Sequence, residues 1–370
     1  MSRASVIHCA VFTLILLSFA IGNVLVPDRK FSEMENRYLT AMPVFTFERL
    51  FSGKYGDDFE QYMNDQFPLR DFFMQASAAM QYAVGKREIG GVYFAGEGLL
   101  IERRSEINAE LLDKNLQSVE SLRKTGIPVY FALIPDAACI WGEKLPYGAP
   151  GFDQKELIDS IYGSLAGGCI DIFTALAAHK DEGIYYRTDH HWTTLGAYYG
   201  YEAVVGAMGM EPVDLADFSP ETLSDGFFGT LYSKAPAFWV KPDEILAYAP
   251  DYDTEVAFFD GNEFKESSLY SMENLEKKDK YTVFLGGNQP VIIVETKKAD
   301  EPRILVLRDS YFDSLTPFLQ THFSQIHLID VRYYLKDIGQ YAEENDIDII
   351  LAAYSVDQFV RVVNLSGAVR

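Results

Sequence analysis

Basic residues are scarce in this chain: 32 Lys and Arg stand against 54 Asp and Glu in 370 residues, a formal charge of −22. A sequence-independent grip on nucleic acid needs Lys and Arg facing phosphates, so the balance argues against that class. It disfavours adhesion to anionic lipid headgroups for the same reason. Cysteine is scarcer still, at three residues, and no CxxC or Cys/His zinc spacing occurs. Cys9 falls in an apolar run, which leaves Cys139 and Cys169 as the one pair that could bridge outside a cell; two separate buried thiols fit the sequence at least as well. No EF-hand spacing is present, so Asp57-Asp58 and Asp251-Tyr252-Asp253 read as solvated surface rather than calcium sites. There is no internal repeat and no low-complexity tract. What remains is a chain that is 48% hydrophobic, enough for one large domain with additions or two smaller ones.

One long stretch is uncharged. From Val6 to Val26 there is no Asp, Glu, Lys or Arg, and about twenty predominantly apolar residues suffice to cross a bilayer as a helix. Arg3 precedes the run and Pro27-Asp28-Arg29-Lys30 breaks it. Ala20-Ile21-Gly22 offers small residues at signal-peptidase spacing, giving a cleaved, secreted form as the second reading. The length of the run favours an uncleaved signal anchor over residues 1–27, with the body of a single-pass protein outside the cytoplasm.

Residues 28–90 read as a stalk and helical preface. Val92-Tyr93-Phe94 and Leu99-Leu100-Ile101, separated by Ala95-Gly96-Glu97-Gly98, predict a hairpin. Helical and apolar segments then alternate: a helix over 110–124, a strand over 127–134, a helix over 154–165, a short strand at 169–172, and a helix over 193–208 capped by Thr193 or Thr194. Residues 209–302 interrupt the rhythm as a β-rich insertion, with strands expected at 256–259, 281–285 and 291–295. Three apolar runs, 304–307, 326–329 and 347–352, restore it. The alternation predicts an α/β domain over 91–370 built on a parallel sheet flanked by helices.

Two places carry chemistry. Thr188-Asp189-His190-His191-Trp192 sets a carboxylate and two imidazoles in consecutive positions ahead of a helix; a carboxylate that fixes an imidazole's tautomer makes it a usable general base. The strand 304–307 runs into Arg308-Asp309-Ser310-Tyr311, and reactive groups in open α/β sheets gather beyond the carboxyl ends of strands. Ser310 is therefore the candidate nucleophile, although Asp309 or Ser310 could equally serve as a helix cap. A metal at Asp189-His190-His191 would need further ligands from His179, His322 or His327, which lie on unrelated segments, so neither a metal nor a cofactor is expected. In an extended turn His190 would face away from His191.

Asp189-His190-His191-Trp192 matches the name-giving motif of the DHHW protein family, and its Asp-x-His-Trp core resembles that of the bacterial alginate O-acetylation proteins. Arg308-Asp309-Ser310 is similar to the Gly-Asp-Ser block of SGNH hydrolases in a circularly permuted order, which accounts for Asp and His preceding Ser. Glu35-Asn36-Arg37, Phe67-Pro68-Leu69-Arg70, Gly226-Phe227-Phe228-Gly229-Thr230 and the run Tyr281-Thr282-Val283-Phe284-Leu285-Gly286-Gly287-Asn288 resemble further family landmarks. The resemblance implies an SGNH-hydrolase-like sheet with Ser310 as nucleophile, His191 as general base and Asp189 as its orienting carboxylate. It places oxyanion or support donors at the ends of the next strands, giving Tyr354 and Arg332, with Arg308 standing where glycine is common. His190, Trp192 and Tyr311 are the substrate-facing candidates, although for Trp192 packing under the loop is the better reading.

The activity implied is an extracytoplasmic O-acyltransferase that acetylates a cell-surface or secreted polysaccharide, with a polytopic membrane acyltransferase as acyl donor. An O-acetylesterase using the same triad, and a noncatalytic membrane-tethered scaffold that binds glycan, are the rival readings.

Overall fold

The computed structural model describes residues 2–104, 106–150, 153–248, 254–361 and 365–369. Asp251-Tyr252-Asp253 lies outside the described residues. The chain divides into two units, residues 1–89 with 232–238 and residues 90–231 with 239–370.

In the first unit the uncharged run lies within a single helix, α1 (Arg3–Leu25), whose most apolar 18-residue stretch has a mean hydropathy of 2.3 and which has no buried residue. It is long and apolar enough to cross a membrane. A short helix at Phe47–Phe51 and two longer ones, α2 (Lys54–Asp65) and α3 (Arg70–Ala83), follow. The turns beside them are held by charge: Arg37 pairs with Asp65 at 2.6 Å and with Glu35 at 3.2 Å, and Arg70 reaches Glu35 at 2.8 Å. Glu35-Asn36-Arg37 and Phe67-Pro68-Leu69-Arg70 thus contribute to one ion-pair network, which keeps the buried Asp65 carboxyl well below the usual carboxylate range through its bond from Arg37.

The second unit opens with the expected hairpin, Val92–Phe94 paired antiparallel with Leu100–Glu102, its turn using left-handed Glu97 and Gly98. Helices begin where short polar side chains can take up first-turn amides: Asn108 caps α4 (Ala109–Leu122), Asp153 caps α5 (Gln154–Ser164) and Thr193 caps α6 (Thr194–Ala207). The strands are β1 (Val129–Ile134), β2 (Cys169–Ile170), β3 (Glu255–Phe259), β4 (Phe264–Ser267), β5 (Val291–Glu295), β6 (Arg303–Arg308), β7 (Gln325–Ile329) and β8 (Ile349–Ser355). They form one eight-stranded sheet in the order β4-β3-β5-β7-β6-β8-β1-β2.

From β7 to β2 every pairing is parallel; β5, β3 and β4 extend the sheet antiparallel beyond β7. The sheet is therefore mixed and mostly parallel; three strands of the β-rich segment 209–302 complete it, and two more, Glu221–Phe227 and Asp243–Ala247, pair with each other as a separate two-stranded sheet. Both faces are covered, as the unbroken apolar runs required. Ile304 and Val306 enter one core with Trp192 and Tyr311, while Leu305 and Leu307 enter the other with Phe131 and Phe359.

One expected strand is absent. Residues 281–285 carry strong β-formers, yet Lys280–Val283 is a turn of 3₁₀ helix and Phe284 makes only an isolated bridge to Tyr270. Leu285, Gly286 and Gly287 all take positive φ, at 60°, 77° and 95°, and three successive left-handed residues cannot continue a pleated strand.

Candidate functional site

The nucleophile candidate sits at the carboxyl end of β6. Asp309 caps the 3₁₀ turn Ser310–Ser314, accepting Tyr311 N at 3.0 Å, and its other oxygen accepts Ser355 N at 2.8 Å and Ser355 Oγ at 2.7 Å. The end of β8 and the nucleophile turn are thereby fixed to each other. Asp309 does cap, as the sequence allowed, and Ser310 is left to project from the first position of the turn. A first-turn amide has no intrahelical acceptor, so Ser310 N–H is placed to donate to an oxyanion.

The histidines come from the loop that precedes α6. Tyr186 N donates to His191 O at 3.2 Å and Thr193 N to Ile184 O at 2.9 Å, pinching residues 187–190 into a loop. His191 Nε2 lies 2.9 Å from Ser310 Oγ, and His191 Nδ1 lies 2.6 Å from Asp189 Oδ1. Asp189 also accepts His191 N at 3.0 Å, Thr230 N at 2.8 Å and Thr230 Oγ1 at 3.0 Å. The approach of Thr230 depends on its neighbour. A Cβ on Gly229 would stand 2.3 Å from Asp189 Cβ and Oδ2.

Burial alone would raise the Asp189 carboxyl; the neighbouring His190 and His191, with the bonds from His191 and Thr230, outweigh it and hold Asp189 well below the usual carboxylate range. Burial, and then His190, pushes His191 down to about 4 against the pull of Asp189. The resting pair is thus a carboxylate and a neutral imidazole whose Nδ1 proton points at Asp189. Its Nε2 lone pair is left to accept the Ser310 hydroxyl proton.

Asp189, His190 and His191 could also offer three metal-ligand atoms within 4.8 Å of one another, but those of Asp189 and His191 are spent on each other, on Thr230 and on Ser310. The three histidines considered as further ligands are occupied elsewhere: His179 with Glu182, His322 with Tyr201 and His327 with Tyr341.

The other predicted residues separate into distinct roles. His190 does not face away from His191: the loop is bent, the two rings lie 3.9 Å apart, and His190 Nδ1 bonds Thr230 Oγ1 at 2.8 Å while the side chain stays about one-third exposed. Trp192 is fully buried, donating from Nε1 to Tyr311 O at 2.7 Å and Ser314 Oγ at 3.1 Å, so it braces the nucleophile turn from below and faces no substrate. Gly200 of α6 leaves room for it; a Cβ there would stand 2.6 Å from the indole. Tyr311, expected to face substrate, is buried as well and its hydroxyl donates to the His190 carbonyl.

Arg308 is wholly buried and pairs with Asp313 at 2.9 Å, a brace spanning the turn. Arg332 is committed to Asp330, from Nε at 2.9 Å and Nη2 at 2.6 Å. Both arginines touch Asn288 Oδ1 at 3.4 Å. Tyr354, the expected oxyanion donor, packs into the core that holds Phe131 and Phe359, and its hydroxyl has no hydrogen-bond partner. It is a core tyrosine.

Tyr281 was not foreseen as part of the site. Its ring stacks on His191, centroids 3.8 Å apart and planes within 6°, and its hydroxyl donates to Ser310 O at 3.0 Å and Ser314 Oγ at 3.1 Å. One side chain thus touches both the imidazole and the nucleophile's own carbonyl. The signal available was its place in the landmark running from Tyr281 to Asn288; its strand-like composition hid the role.

Comparison with known proteins agrees with the sequence resemblance. The DHHW protein family profile matches residues 151–329. "Probable alginate O-acetylase AlgJ" of Pseudomonas aeruginosa is 26% identical over 173 residues, 44% of this chain and 43% of that protein. The match thus spans less than half the length of that relative. A DHHW family protein from Eubacterium siraeum superposes with a TM-score of 0.65 at 23% identity, covering 76% of this chain and 97% of its own. Bacillus cereus PatB1 superposes with a TM-score of 0.64 at 19% identity, covering 75% and 98%. These two solved structures share the fold.

Proposed function

We propose that this DHHW-family chain is an extracytoplasmic serine O-acyltransferase that places acetyl groups on hydroxyls of a polysaccharide. The observation that carries the reading is the linear arrangement of Asp189, His191 and Ser310, at 2.6 and 2.9 Å through the two nitrogens of one ring. The AlgJ similarity supports the acetyl group and a glycan acceptor. α1 serves as a signal anchor over residues 1–27, residues 28–90 as the membrane-proximal preface and 91–370 as the catalytic domain, with a polytopic membrane acyltransferase supplying the acyl group.

In the first half-reaction His191 Nε2 takes the Ser310 proton as Oγ attacks the acyl carbonyl. The tetrahedral oxyanion forms beside the Ser310 amide. Collapse breaks the bond to the donor, which leaves with the proton from His191, and Ser310 holds the acyl group as an ester. In the second half, His191 deprotonates a sugar hydroxyl, whose oxygen attacks that ester; Ser310 recovers its proton and the O-acetylated sugar departs. Asp189 stays ionised and stabilises the imidazolium formed in each half.

The test incubates the protein with an activated acetyl ester, with and without alginate oligosaccharides as trial acceptor, beside a Ser310→Ala variant. Transfer of acetyl to glycan by the native protein and not by the variant is the expected result. Acetate release that glycan leaves unchanged, with no acetylated sugar, would replace the transferase reading by an esterase. A surface-glycan acetylation phenotype that survives Ser310→Ala would defeat the catalytic reading and leave a scaffold.

A further inference from the structure

The first unit contains an apolar surface that the catalytic reading does not use. Phe19 of α1 stacks on Phe67, ring centroids 4.9 Å apart and planes 21° apart, and lies 5.8 Å from Phe73. Three residues on, a Cβ added to Gly22 would meet Pro68 at 3.1 Å. Phe19 stands six residues before Leu25, the last of α1, so at 1.5 Å per residue it lies about 9 Å inside the helix end. Phe67, Pro68 and Phe73 are therefore alongside the apolar helix, not beyond it.

The same segment turns large apolar side chains outward. Leu69 is 69% exposed, Phe72 63% and Phe73 41%. Beside them opens a groove of about 600 Å³ lined by Phe67, Phe73, Met74, Ala78, Ile89 and Pro236. Polar ties gather where α1 ends: Arg29 pairs with Asp71 at 2.8 Å, Arg29 N donates to Gln66 Oε1 at 2.9 Å, and Tyr62 donates to Asp28 at 3.0 Å. Apolar rings below a polar rim is the arrangement of an element lying in a membrane interface.

We propose that the Phe67–Phe73 segment and the groove along α3 are sunk in the outer interface of the bilayer that α1 crosses, with lipid acyl chains filling the groove. This rests on the reading of α1 as an uncleaved anchor. The anchor is then one part of a packed membrane-proximal module, with α1, the Phe67-Pro68 turn and α3 sharing the lipid. The occupant is the acyl region of neutral lipid, because the acidic chain gives anionic headgroups little to bind.

The test uses the full chain in nanodiscs of phosphatidylcholine, as wild type and as Phe72→Trp, with acyl chains either normal or brominated. Trp141, Trp192 and Trp239 all belong to the second unit, and the wild type supplies their emission for subtraction. A far-ultraviolet spectrum matching wild type establishes that the exposed substitution leaves the fold intact. The added emission should be blue-shifted and should lose about half or more of its intensity in brominated lipid, as expected of a ring at interfacial depth. Water-like emission unchanged by brominated lipid, from chain that resists alkaline carbonate extraction, would overturn the proposal while sparing the anchor; a protein partner would then be what covers this face. Chain released from the membrane by carbonate, or lacking its first residues when isolated, would defeat the anchor reading and the proposal with it.

Discussion

Replacing Gly229 with alanine tests whether the position of Asp189 governs the chemistry. The added Cβ would stand 2.3 Å from Asp189 Cβ and Oδ2 and 2.7 Å from Cγ, whereas carbon atoms settle at about 3.5 Å or more. Relief requires a movement of about 1 Å by the carboxylate or by the backbone at 229–230. Asp189 Oδ2 accepts Thr230 N at 2.8 Å and Oδ1 holds His191 Nδ1 at 2.6 Å. Hydrogen bonds of this kind weaken beyond about 3.2 Å, so at least one is lost. Misplacing a positioning group by about 1 Å costs about 100-fold in rate, and overpacking costs about 1–3 kcal/mol of stability.

The assay is the initial rate of acyl release from p-nitrophenyl acetate by detergent-solubilised protein, at a temperature where a urea melt places both variants in the folded state. Gly226→Ala is the control in the same segment, since its Cβ would meet nothing nearer than Lys280 Nζ at 3.9 Å. Gly229→Ala should lower kcat about 100-fold with KM little changed, and Gly226→Ala should leave both near native. A folded Gly229→Ala protein within about threefold of native kcat would refute the argument that this contact sets the triad.

Three further outcomes follow from the same geometry. Tyr281→Phe keeps the ring on His191 but leaves Ser310 O without the phenolic donor and Ser314 Oγ with Trp192 Nε1 alone, so stability should fall by about 1–3 kcal/mol in a urea melt and kcat by about tenfold; an unchanged kcat would mean that the hydroxyl does not position Ser310. Trp192→Phe removes the donor to Tyr311 O and Ser314 Oγ from a fully buried ring, and should cost about 1–3 kcal/mol while KM for the ester stays the same. The pH profile of kcat/KM should have its acid limb near 4, where His191 takes a proton, compared with 6.5 for an unperturbed imidazole. The sign for stability follows: between those values the unfolded chain binds a proton that the folded one refuses, so this group's contribution shrinks as pH falls from 6.5 to 4 and is constant outside that window. An acid limb at 6.5 or above would show that His191 is hydrated in the resting protein.

The sequence disclosed what is local. α1 was visible because a bilayer sets a length that composition can meet, and β6, β7 and β8 because strands buried on both faces read as unbroken apolar runs. Asp189 and His191 were legible as a pair since a two-residue spacing lets one carboxylate reach both the amide and the ring of the same residue. Ser310 required more than the strand-end rule, because the cap role of Asp309 explained the same residues; the family resemblance decided for it. An outward-facing His190 requires an extended turn, and the loop pinched between Tyr186 and Thr193 is bent, which directs His190 to Thr230 of the β-rich segment. Tyr354 was assigned by analogy with strand ends, while alternation along β8 directs its side chain to the opposite core from Trp192 and Tyr311.

The least legible contribution is also the most connected one. Tyr281 belongs to a run of β-formers, and propensity alone assigns that run to a strand; the backbone at Leu285, Gly286 and Gly287 overrules it. A strand would direct alternate side chains to opposite faces. The 3₁₀ turn Lys280–Val283 instead directs Tyr281 at the triad, where its ring lies against His191 and its hydroxyl ties the carbonyl of Ser310. The separation in sequence makes such a residue necessary: His191 and Ser310 lie 119 residues apart, and the 2.9 Å contact between them is one hydrogen bond. Trp192 secures the join by bonding across it to the turn that follows Ser310, and Tyr281 by stacking on one partner while bonding the other. Rigidity at that join comes from aromatic side chains whose polar atoms are all directed at the nucleophile turn, a requirement invisible in any one segment because it exists only once the two are adjacent.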